Sequence, residues 1–262
     1  MIILQTDRLS IAFGGVRAID EVNLAIESGQ VYSIIGPNGS GKTTLFNLVS
    51  GIYTPDDGSI RLAGEAVTGL APDQLARLGL SRTFQNLQIF SRMSVLENVM
   101  VGRHRHERTG IFADLLHWPS VARQNQATAK AARAALARVG LADSVGRPAG
   151  SLAYGALKRL EIARALASDP TLLLLDEPAA GCNPVETEGI DGVIRSIVKD
   201  GITVVLVEHD MRLVMNISDR IHVLASGRTL TEGTPEQVRS NAAVVQAYLG
   251  THGLQEAIRA FD

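Results

Sequence analysis

Three features are scarce in this sequence of 262 residues, and each absence excludes a class of protein or site. The single cysteine, Cys182, allows neither an intrachain disulfide nor a cysteine-based metal site. Apolar runs are short: Leu172–Leu175 and Val204–Val207 fall far below the roughly 18 to 20 residues that span a membrane, so we expect no bilayer crossing. Net charge is small as well, because 25 basic residues face 27 acidic ones, and no global basic field is present to attract nucleic acid.

The remaining composition is that of an ordinary soluble globular protein. Hydrophobic residues make up 45% and charged residues 20% of the chain, which argues against disorder. The length suits one α/β domain with room for an inserted subdomain. The first residues, Met1–Arg8, lack the basic start, apolar core and small-residue cleavage site of a secretory signal, so we expect the chain to stay in the cytosol.

The most informative stretch is the glycine-rich segment GPNGSGKTT at residues 36–44. An apolar run before it, Val31–Ile35, predicts a buried strand, and Leu45–Val49 after it predicts the first turns of a helix. The segment fits G-x-x-x-x-G-K-[ST], in which glycines let consecutive backbone N–H groups point at phosphate oxygens while the helix N-terminus adds partial positive charge. The candidate nucleotide-binding residues of this loop are Gly36, Pro37, Asn38, Gly39, Ser40, Gly41, Lys42, Thr43 and Thr44.

Two side chains of the loop have specific chemical roles in this interpretation. Lys42 is expected to reach the β- and γ-phosphates of a nucleotide, and the Thr43 hydroxyl to hold one Mg²⁺ position. The alternative is a glycine-rich turn without a ligand. Such a turn needs glycine for its backbone angles but does not require a Lys-Thr pair, so the pair favours a phosphate site.

Two further apolar runs are predicted to be buried parallel strands that end in charged residues. The run at residues 171–175 ends in Asp176 and Glu177, and the run at residues 202–207 ends in the acidic and histidine residues 208–210. In open α/β sheets this edge is where ligands bind. Asp176 would hold Mg²⁺, which prefers hard carboxylate oxygens, and Glu177 would polarise an attacking water molecule.

The middle of the chain is predicted to be mostly helical and to separate two strand-bearing parts. Ser94 and Glu97 fit the capping box S-x-x-E, which predicts that a helix starts here. Ala-rich and charged residues predict a second helix over Val121–Val139, stopped by Gly140. The basic tract Gly102–Arg108 is interpreted as a solvated helix end, because it is short and carries no interleaved aromatic residues. The alternative is a contact with acidic lipid or nucleic acid.

Short strands are predicted towards both ends of the chain. At the N-terminal end they cover Ile3–Phe13, Val22–Ile26 and Ser59–Leu62. At the C-terminal end a hairpin is predicted over residues 221–233, followed by one helix over Pro235–Leu249.

Taken together, these motifs resemble the nucleotide-binding subunits of ABC transporters over essentially the whole chain. In the order of that family they are Phe13, the loop at residues 36–44, Gln85 within Thr83–Asn86, a signature-like stretch at Leu152–Ala156, Asp176 with Glu177, the loop Ala180–Asn183 and His209. An isolated Gln or His is usually structural, so Gln85 and His209 become candidate functional residues only through their place in this order.

The resemblance implies an α/β fold with a P-loop NTPase core of the RecA-like type, an N-terminal antiparallel β region and an inserted α-helical subdomain. The expected division is a single ABC ATP-binding domain over residues 1–262, with the core at about residues 1–89 and 170–262 and the helical subdomain at about residues 90–169.

The resemblance also implies ATP and Mg²⁺ as cofactors and gives each motif a role. Phe13 would stack on the adenine ring, for which core packing is the alternative. The implied catalytic residues are Glu177, His209, Gln85 and Lys42, with His209 contacting the γ-phosphate. The implied metal-holding residues are Thr43, Gln85 and Asp176. The implied nucleotide contacts of the signature are Ala153, Tyr154 and Gly155.

The implied assembly is a head-to-tail dimer, formed with a second copy of the chain or with a paralogous ATP-binding subunit. Each ATP would lie between the phosphate loop of one subunit and the signature of the other. Integral-membrane permease subunits are the other implied partners, and the segment Gln85–Leu96 would receive a coupling helix from them. The chain is therefore expected to be a peripheral subunit at the cytoplasmic face of the inner membrane, without a nucleic-acid partner.

A finer resemblance is to the ATP-binding subunits of branched-chain amino acid importers. It is carried by Gly155–Leu166, Glu177–Pro184 and Glu208–Met211, and by the long stretch Gly102–Pro148. Related ATPases for lipopolysaccharide export or urea uptake share much of this pattern and are alternatives. A soluble ABC ATPase that acts on nucleic acid or ribosomes is a further alternative. The lack of sustained heptads and of internal repeats argues against it.

The signature departs from the usual Leu-Ser-x-Gly-Gln of the family. Ala153 replaces the serine and Ala156 the glutamine, so the hydroxyl that would bond the γ-phosphate of the partner's ATP is absent, a loss of about 1 to 3 kcal/mol. The Gly155 N–H and the helix N-terminus can still bind phosphate, and this half-site is predicted to be weakened. The change also raises the alternative of a regulatory subunit that hydrolyses little, against which Glu177 and His209 argue.

Overall fold

The computed structural model describes residues 1–104 and 119–248, apart from the side chains of residues 119–121. These residues form two sheets with helices packed against them. The strands are β1 (Ile2–Phe13), β2 (Val16–Glu27), β3 (Val31–Ile35), β4 (Asp57–Leu62), β5 (Glu65–Ala66), β6 (Leu80–Arg82), β7 (Leu172–Asp176), β8 (Thr203–Val207), β9 (Arg220–Ala225) and β10 (Arg228–Gly233). The helices are α1 (Lys42–Val49), α2 (Pro72–Arg77), α3 (Val95–Val101), α4 (Pro119–Arg138), α5 (Tyr154–Leu166), α6 (Pro184–Lys199), α7 (Met211–Ile217) and α8 (Pro235–Arg239).

The larger sheet carries the glycine-rich loop. Its strand order is β10-β9-β3-β8-β7-β6, in which the neighbours from β9 to β6 are parallel and β10 returns antiparallel to β9. Every residue of β3, β7 and β8 is buried, which explains why these strands are nearly continuous apolar runs. The predicted buried strands that end at Asp176 and Val207 are confirmed. Because β3, β8 and β7 are neighbours, the residues that follow them meet at one edge of the sheet.

The smaller sheet is antiparallel, with the order β2-β1-β4-β5. Strands β1 and β2 are joined through Gly14 and Gly15, and Phe13 pairs with Val16 across this turn. The second strand therefore starts earlier than the predicted Val22. Before Val22 only Ile19 is both apolar and buried, so the alternation of a strand is not evident there, but backbone pairing with the end of β1 makes these residues part of the strand.

The described residues between β6 and β7 form the helices α3, α4 and α5 and two short 3₁₀ turns at Ala142–Ser144 and Ala149–Ser151. The predicted capping box at the start of α3 is confirmed. The Ser94 hydroxyl accepts a hydrogen bond from the Glu97 N–H at 3.2 Å, and the Glu97 carboxylate accepts one from the Ser94 N–H at 2.7 Å. Helix α4 matches the predicted helix closely, and Gly140 follows it with a φ of +70°, a conformation that favours glycine.

The single helix predicted over Pro235–Leu249 is wrong, because the chain forms two helical segments there. Helix α8 ends at Arg239, and a second segment covers residues 242–248. The Asn241 side chain accepts a hydrogen bond from the Ala243 N–H at 2.9 Å, so it caps the start of the second segment. The basic tract beyond residue 104 and the tail beyond residue 248 lie outside the described residues.

Apolar side chains cover both faces of the larger sheet. Leu173 packs in a cluster with α3, α4 and α5, whereas Leu172 and Leu174 pack in a second cluster with α1 and the antiparallel sheet. The side chains of successive strand residues point to opposite faces of the sheet, so neighbouring leucines of β7 pack in different clusters. Among the described residues, none of the helices combines the length and the apolar character needed to cross a membrane.

Candidate active site

The loop between β3 and α1 packs so tightly that two of its positions require glycine. A Cβ atom on Gly36 would lie 2.1 Å from the backbone oxygen of Leu224, and one on Gly41 would lie 2.6 Å from that of Ala18. Gly41 also has a φ of +104°, which L side chains rarely adopt. The loop is thus held between β2 and β9, with α1 starting at the next residue, so that the N-terminus of the helix faces the space in front of the loop.

The side chain of Lys42, the first residue of α1, points back towards the carbonyl groups of this loop. Its Nζ donates hydrogen bonds to the backbone oxygens of Gly36 at 2.7 Å and Pro37 at 3.1 Å. Burial lowers the pKa of Lys42, and the charges of Glu177 and Asp176 oppose that shift. The buried hydroxyl of Ser40 has no hydrogen-bond partner among the described residues. A loop with a buried cation and an unsatisfied hydroxyl has the donors that a phosphate group would satisfy.

Three predicted catalytic side chains meet at the edge of the larger sheet. The Glu177 carboxylate accepts a hydrogen bond from Gln85 Nε2 at 3.0 Å, and its other oxygen lies 2.9 Å from His209 Nε2. Glu177 adopts a φ of +49°, a left-handed conformation that is unfavourable for a residue with a side chain. Its N–H bonds the Val207 carbonyl at 2.9 Å, so pairing with the neighbouring strand maintains this conformation.

Glu208 positions the loop that carries His209, a role that the sequence analysis did not assign. Its carboxylate is buried and accepts hydrogen bonds from the backbone N–H groups of Ala179 at 2.8 Å and His209 at 2.9 Å. Burial raises the pKa of this carboxyl group, and the bonds from backbone N–H groups work in the opposite direction. Glu208 thereby ties the loop after β7 to the loop after β8. An acid directly at the end of a fully buried strand is the signal that could have indicated it.

Asp176 and Arg82 form a buried ion pair, and Arg82 is the second residue that the sequence analysis did not single out. Arg82 Nη2 donates to Asp176 Oδ2 at 2.8 Å, with the two side chains 7% and 3% exposed. The Asp176 N–H also donates to Thr83 Oγ1 at 3.3 Å. Arg82 could have been identified from its place in a short strand beside an apolar strand. An arginine in such a position is buried, and a buried arginine requires a charged or polar partner.

These residues fit a Mg²⁺ ion that is bound together with a nucleotide. The described residues contain no group of three or more His, Cys, Asp or Glu side chains that could hold a metal by themselves. That is the expected situation for Mg²⁺, which usually takes one or two carboxylates together with substrate phosphates and water. The Thr43 hydroxyl and the Asp176 carboxylate are hard oxygen donors of the right kind.

A cavity of about 640 Å³ lies in front of the phosphate loop. This volume is within the range of small-molecule sites. Its wall contains most of the predicted site residues of the loop, together with Gln85, Glu177 and His209; the members are Val16, Arg17, Ala18, Asn38, Gly39, Gly41, Lys42, Thr43, Thr44, Gln85, Glu177, His209, Ser226 and Gly227. Phe13 is not part of this wall. It is 46% exposed, and its ring meets the Tyr53 ring edge-on with the centroids 5.3 Å apart.

The signature residues are also outside the wall of this cavity. Ala153 precedes α5 as its N-cap without a side-chain hydrogen bond, because alanine has no acceptor. The Gly155 N–H donates to Glu186 Oε1 at 3.1 Å, and the Tyr154 hydroxyl donates to the Ala180 carbonyl at 3.2 Å. The structure therefore brings the loop, Gln85, Glu177 and His209 together, and it places the signature elsewhere.

The matches to known families and proteins extend over nearly the whole chain. The model of the family described as ABC transporter matches residues 19–180, and a model described as branched-chain amino acid ATP-binding cassette transporter matches residues 228–253. The chain is 47% identical over 249 residues to the high-affinity branched-chain amino acid transport ATP-binding protein BraF of Pseudomonas aeruginosa, covering 95% of this chain and 98% of that protein. It is 45% identical, with the same coverage, to the corresponding protein LivG of Escherichia coli.

Solved structures agree with this result. A nucleotide-free ATP-binding cassette from an ABC transporter superposes with a TM-score of 0.83 at 32% identity, covering 95% of this chain and 99% of that one. A dimeric ATP-binding cassette in a post-hydrolysis state, bound to ADP and Pi, superposes with a TM-score of 0.74 at 25% identity, covering 89% of this chain and 99% of that one. The predicted α/β fold with a P-loop core is confirmed. The chain belongs to the ABC transporter family, as one of its ATP-binding and ATP-hydrolysing chains.

Proposed function

We propose that this chain hydrolyses ATP to power an importer of branched-chain amino acids. The observation that carries the proposal is the Glu177 carboxylate, which lies between Gln85 and His209 at the wall of the phosphate-loop cavity. The substrate class is supported by the names of the relatives and by the family model that matches residues 228–253. The fold by itself does not select a solute, because cassettes of this shape serve many transporters.

ATP binding uses the groups that line the loop. Backbone N–H groups of residues 36–44 and the N-terminus of α1 bind the phosphates, and Phe13 stacks on the adenine ring. Lys42 leaves the two loop carbonyls that it now contacts and bonds the β- and γ-phosphates. Thr43, Asp176 and Gln85 would hold Mg²⁺, which would supply positive charge to offset the negative charge of the β- and γ-phosphates.

Hydrolysis depends on how Glu177 is held. Gln85 and His209 each contact a different oxygen of its carboxylate, so the side chain is fixed in position and direction. In this position Glu177 accepts a hydrogen bond from the attacking water molecule and polarises it. His209 is 47% exposed on the cavity side and contacts the γ-phosphate. Glu208 fixes the backbone of the loop that carries His209.

The active assembly is a head-to-tail dimer with a second ATP-binding chain. The signature residues Ala153, Tyr154 and Gly155 are absent from the wall of the chain's own cavity, so they act on the nucleotide of a partner. The partner is either a second copy or a paralogous subunit. A paralogue with an intact signature would make the two ATP sites unequal, because the phosphate loop of this chain would face the partner's serine while the partner's loop would face Ala153.

Attachment to the membrane is through protein contacts. The described residues offer no helix suited to a membrane span, so membrane-embedded permease subunits supply the translocation path. The chain then sits peripherally at the cytoplasmic face of the inner membrane, where ATP is available, and uses no nucleic acid. The segment Gln85–Leu96 receives a coupling helix from the permease.

Purification from membranes followed by reconstitution tests this proposal. The tagged chain is purified from detergent-solubilised membranes of its own cells, the co-purifying chains are identified, and the complex is placed in proteoliposomes. We expect permease subunits and ATP-dependent uptake of labelled leucine, isoleucine or valine, which the Glu177→Gln complex does not perform. Uptake of urea without uptake of these amino acids would contradict the substrate class. Recovery with nucleic acid and without any membrane chain would contradict the transport function.

A further inference from the structure

Arg82 connects the carboxylate at the end of β7 with the helix that follows the phosphate loop. It is the last residue of β6 and pairs with Leu174 of β7. Its Nη2 donates to Asp176 Oδ2 at 2.8 Å, and its Nη1 donates to Asn47 Oδ1 and Ser50 Oγ of the α1 end, each at 2.7 Å. A single guanidinium group therefore fixes the distance between the carboxylate and α1.

The planar shape of the guanidinium group is needed for this arrangement. Nη2 of the group makes the contact to Asp176, and Nη1 makes the contacts to the end of α1. A lysine offers one nitrogen on a flexible stem and cannot hold both sides in the same geometry. The guanidinium carbon also lies 5.5 Å from the ring centroids of both Phe46 and Phe84, so two aromatic rings restrict its position.

The segment that begins at Arg82 contacts both adjacent carboxylates of the site. Arg82 binds Asp176, and Gln85, three residues later, binds Glu177. Between them, Phe84 is 45% exposed and lines a groove of about 460 Å³, to which Arg82 itself also contributes. The carboxylate pair is therefore held from one side by a segment whose other side forms the groove.

We propose that Arg82 is a positioning residue for the ATPase reaction, which fixes the Asp176 carboxylate against α1 in the orientation that Mg²⁺ requires. The proposal rests on the proposed function, since it concerns the metal bound with ATP. Groups that bond a metal-holding carboxylate orient it and increase metal affinity, and their removal typically costs about 10- to 100-fold in that affinity. Arg82 makes this contact from outside the cavity wall and does not touch the space for the nucleotide.

The test separates this role from a purely structural one by measuring ATP binding with and without metal. Full-length wild type and Arg82→Gln are compared by calorimetric titration with ATP in EDTA, and then with Mg²⁺ added stepwise at fixed ATP. We expect Arg82→Gln to keep the affinity for ATP in EDTA and to need about 10- to 100-fold more Mg²⁺ for half-maximal enhancement of binding. Arg82→Lys is expected to need an intermediate concentration, because it restores the charge but not the geometry.

The control variant is Arg138→Gln, which removes another arginine–aspartate pair, with Asp200, that takes no part in the cavity wall. It is expected to show the Mg²⁺ response of the wild type.

A wild-type Mg²⁺ response in folded Arg82→Gln would overturn the proposal, as would an equal loss of ATP affinity with and without metal. Thermal melting identifies variants that do not fold. If Arg82→Gln is among them, Arg82→Lys decides the question, and a wild-type Mg²⁺ response of that variant would overturn the proposal. A wild-type chain that binds no ATP would overturn the proposed function together with it.

Discussion

The edge of the larger sheet that carries Glu177 and the start of α5 are both predicted to contact ATP, but their polar groups are arranged differently. At the sheet edge, Gln85 and His209 each contact the Glu177 carboxylate, at 3.0 Å and 2.9 Å, and all three side chains line one cavity. At the start of α5, Ala153 offers no side-chain acceptor, and the Gly155 N–H is occupied by Glu186 of the same chain.

In the function proposed above, one chain therefore contributes two unlike halves of an ATP site. The half at the sheet edge has the proposed general base Glu177, the cation of Lys42 and their hydrogen-bond partners in place within this chain. The half at α5 has a helix N-terminus whose N–H is satisfied internally, by a carboxylate that a phosphate would have to displace. Substitutions at the sheet edge should therefore change ATP turnover, whereas substitutions at the start of α5 should change nucleotide-driven association.

The largest effect is expected from Glu177→Gln. This change removes the general base but keeps a side chain of the same size, so ATP affinity should be retained while hydrolysis falls by a factor on the order of 10² or more. Steady-state ATPase assays and equilibrium ATP binding measure the two quantities. Glu188→Gln, on the exposed face of α6, is the matched control and should leave both unchanged. Near-wild-type turnover of Glu177→Gln would contradict the assignment of the base.

Lys42→Ala should act on binding itself, because it removes a phosphate contact that is present in the ground state. The loss of a hydrogen bond to a charged group corresponds to about 1.5 to 3 kcal/mol, or roughly tenfold or more in ATP affinity. Equilibrium binding of a fluorescent ATP analogue is the measurement, with Lys199→Ala at the exposed end of α6 as the control. Unchanged affinity in Lys42→Ala would contradict the phosphate-loop interpretation.

Ala153→Ser moves the comparison from the sheet edge to α5. Serine supplies a cap for α5 and a hydroxyl for the γ-phosphate of the partner, so ATP-driven association should tighten by up to about tenfold if the contact contributes near 1.4 kcal/mol. Analytical ultracentrifugation with and without ATP measures this association, on the Glu177→Gln background, which prevents hydrolysis. Ala134→Ser, on the exposed face of α4, controls for the added hydroxyl. No gain in association would show that Ala153 is neutral and that the two ATP sites need not differ for this reason.

The smallest effect is expected from Glu186→Gln. The carboxylate oxygens accept hydrogen bonds from two backbone N–H groups, those of Gly155 and Asn183, whereas a glutamine amide offers only one oxygen. One of these bonds is therefore lost, together with the negative charge beside the approaching γ-phosphate. Charges near a helix N-terminus contribute about 0.3 to 1 kcal/mol, so association should tighten by about two- to fivefold. The stability of the chain should fall by that free energy and by a further ~0.5 to 1.5 kcal/mol for the lost hydrogen bond. Sedimentation with ATP and thermal melting measure the two changes, with Glu188→Gln as control. Weaker association in Glu186→Gln would show that the carboxylate assists the contact between chains.

Most of the sheet edge could be predicted from the sequence because its signals are local. The loop at residues 36–44 is contiguous, and the strands that end at Asp176 and Val207 are recognised from apolar runs that must be buried on both faces. The capping box at Ser94 and the end of α4 before Gly140 are local for the same reason. The break between α8 and the segment at residues 242–248 was missed, because the cap made by Asn241 resembles any polar position of a helix until its hydrogen bond is seen.

The sequence by itself determined which groups are the candidates for phosphate chemistry, since glycine spacing, a Lys-Thr pair and strands that end in acids are patterns of neighbouring residues. Only the tertiary structure decided which of these groups meet. The order β3-β8-β7-β6 brings Gln85, Glu177 and His209 together and pairs Arg82 with Asp176. The packing of α5 against α6 bonds Gly155 to Glu186. These contacts join residues that are far apart in the chain, and they depend on strand order and on the burial of charged groups that must find partners.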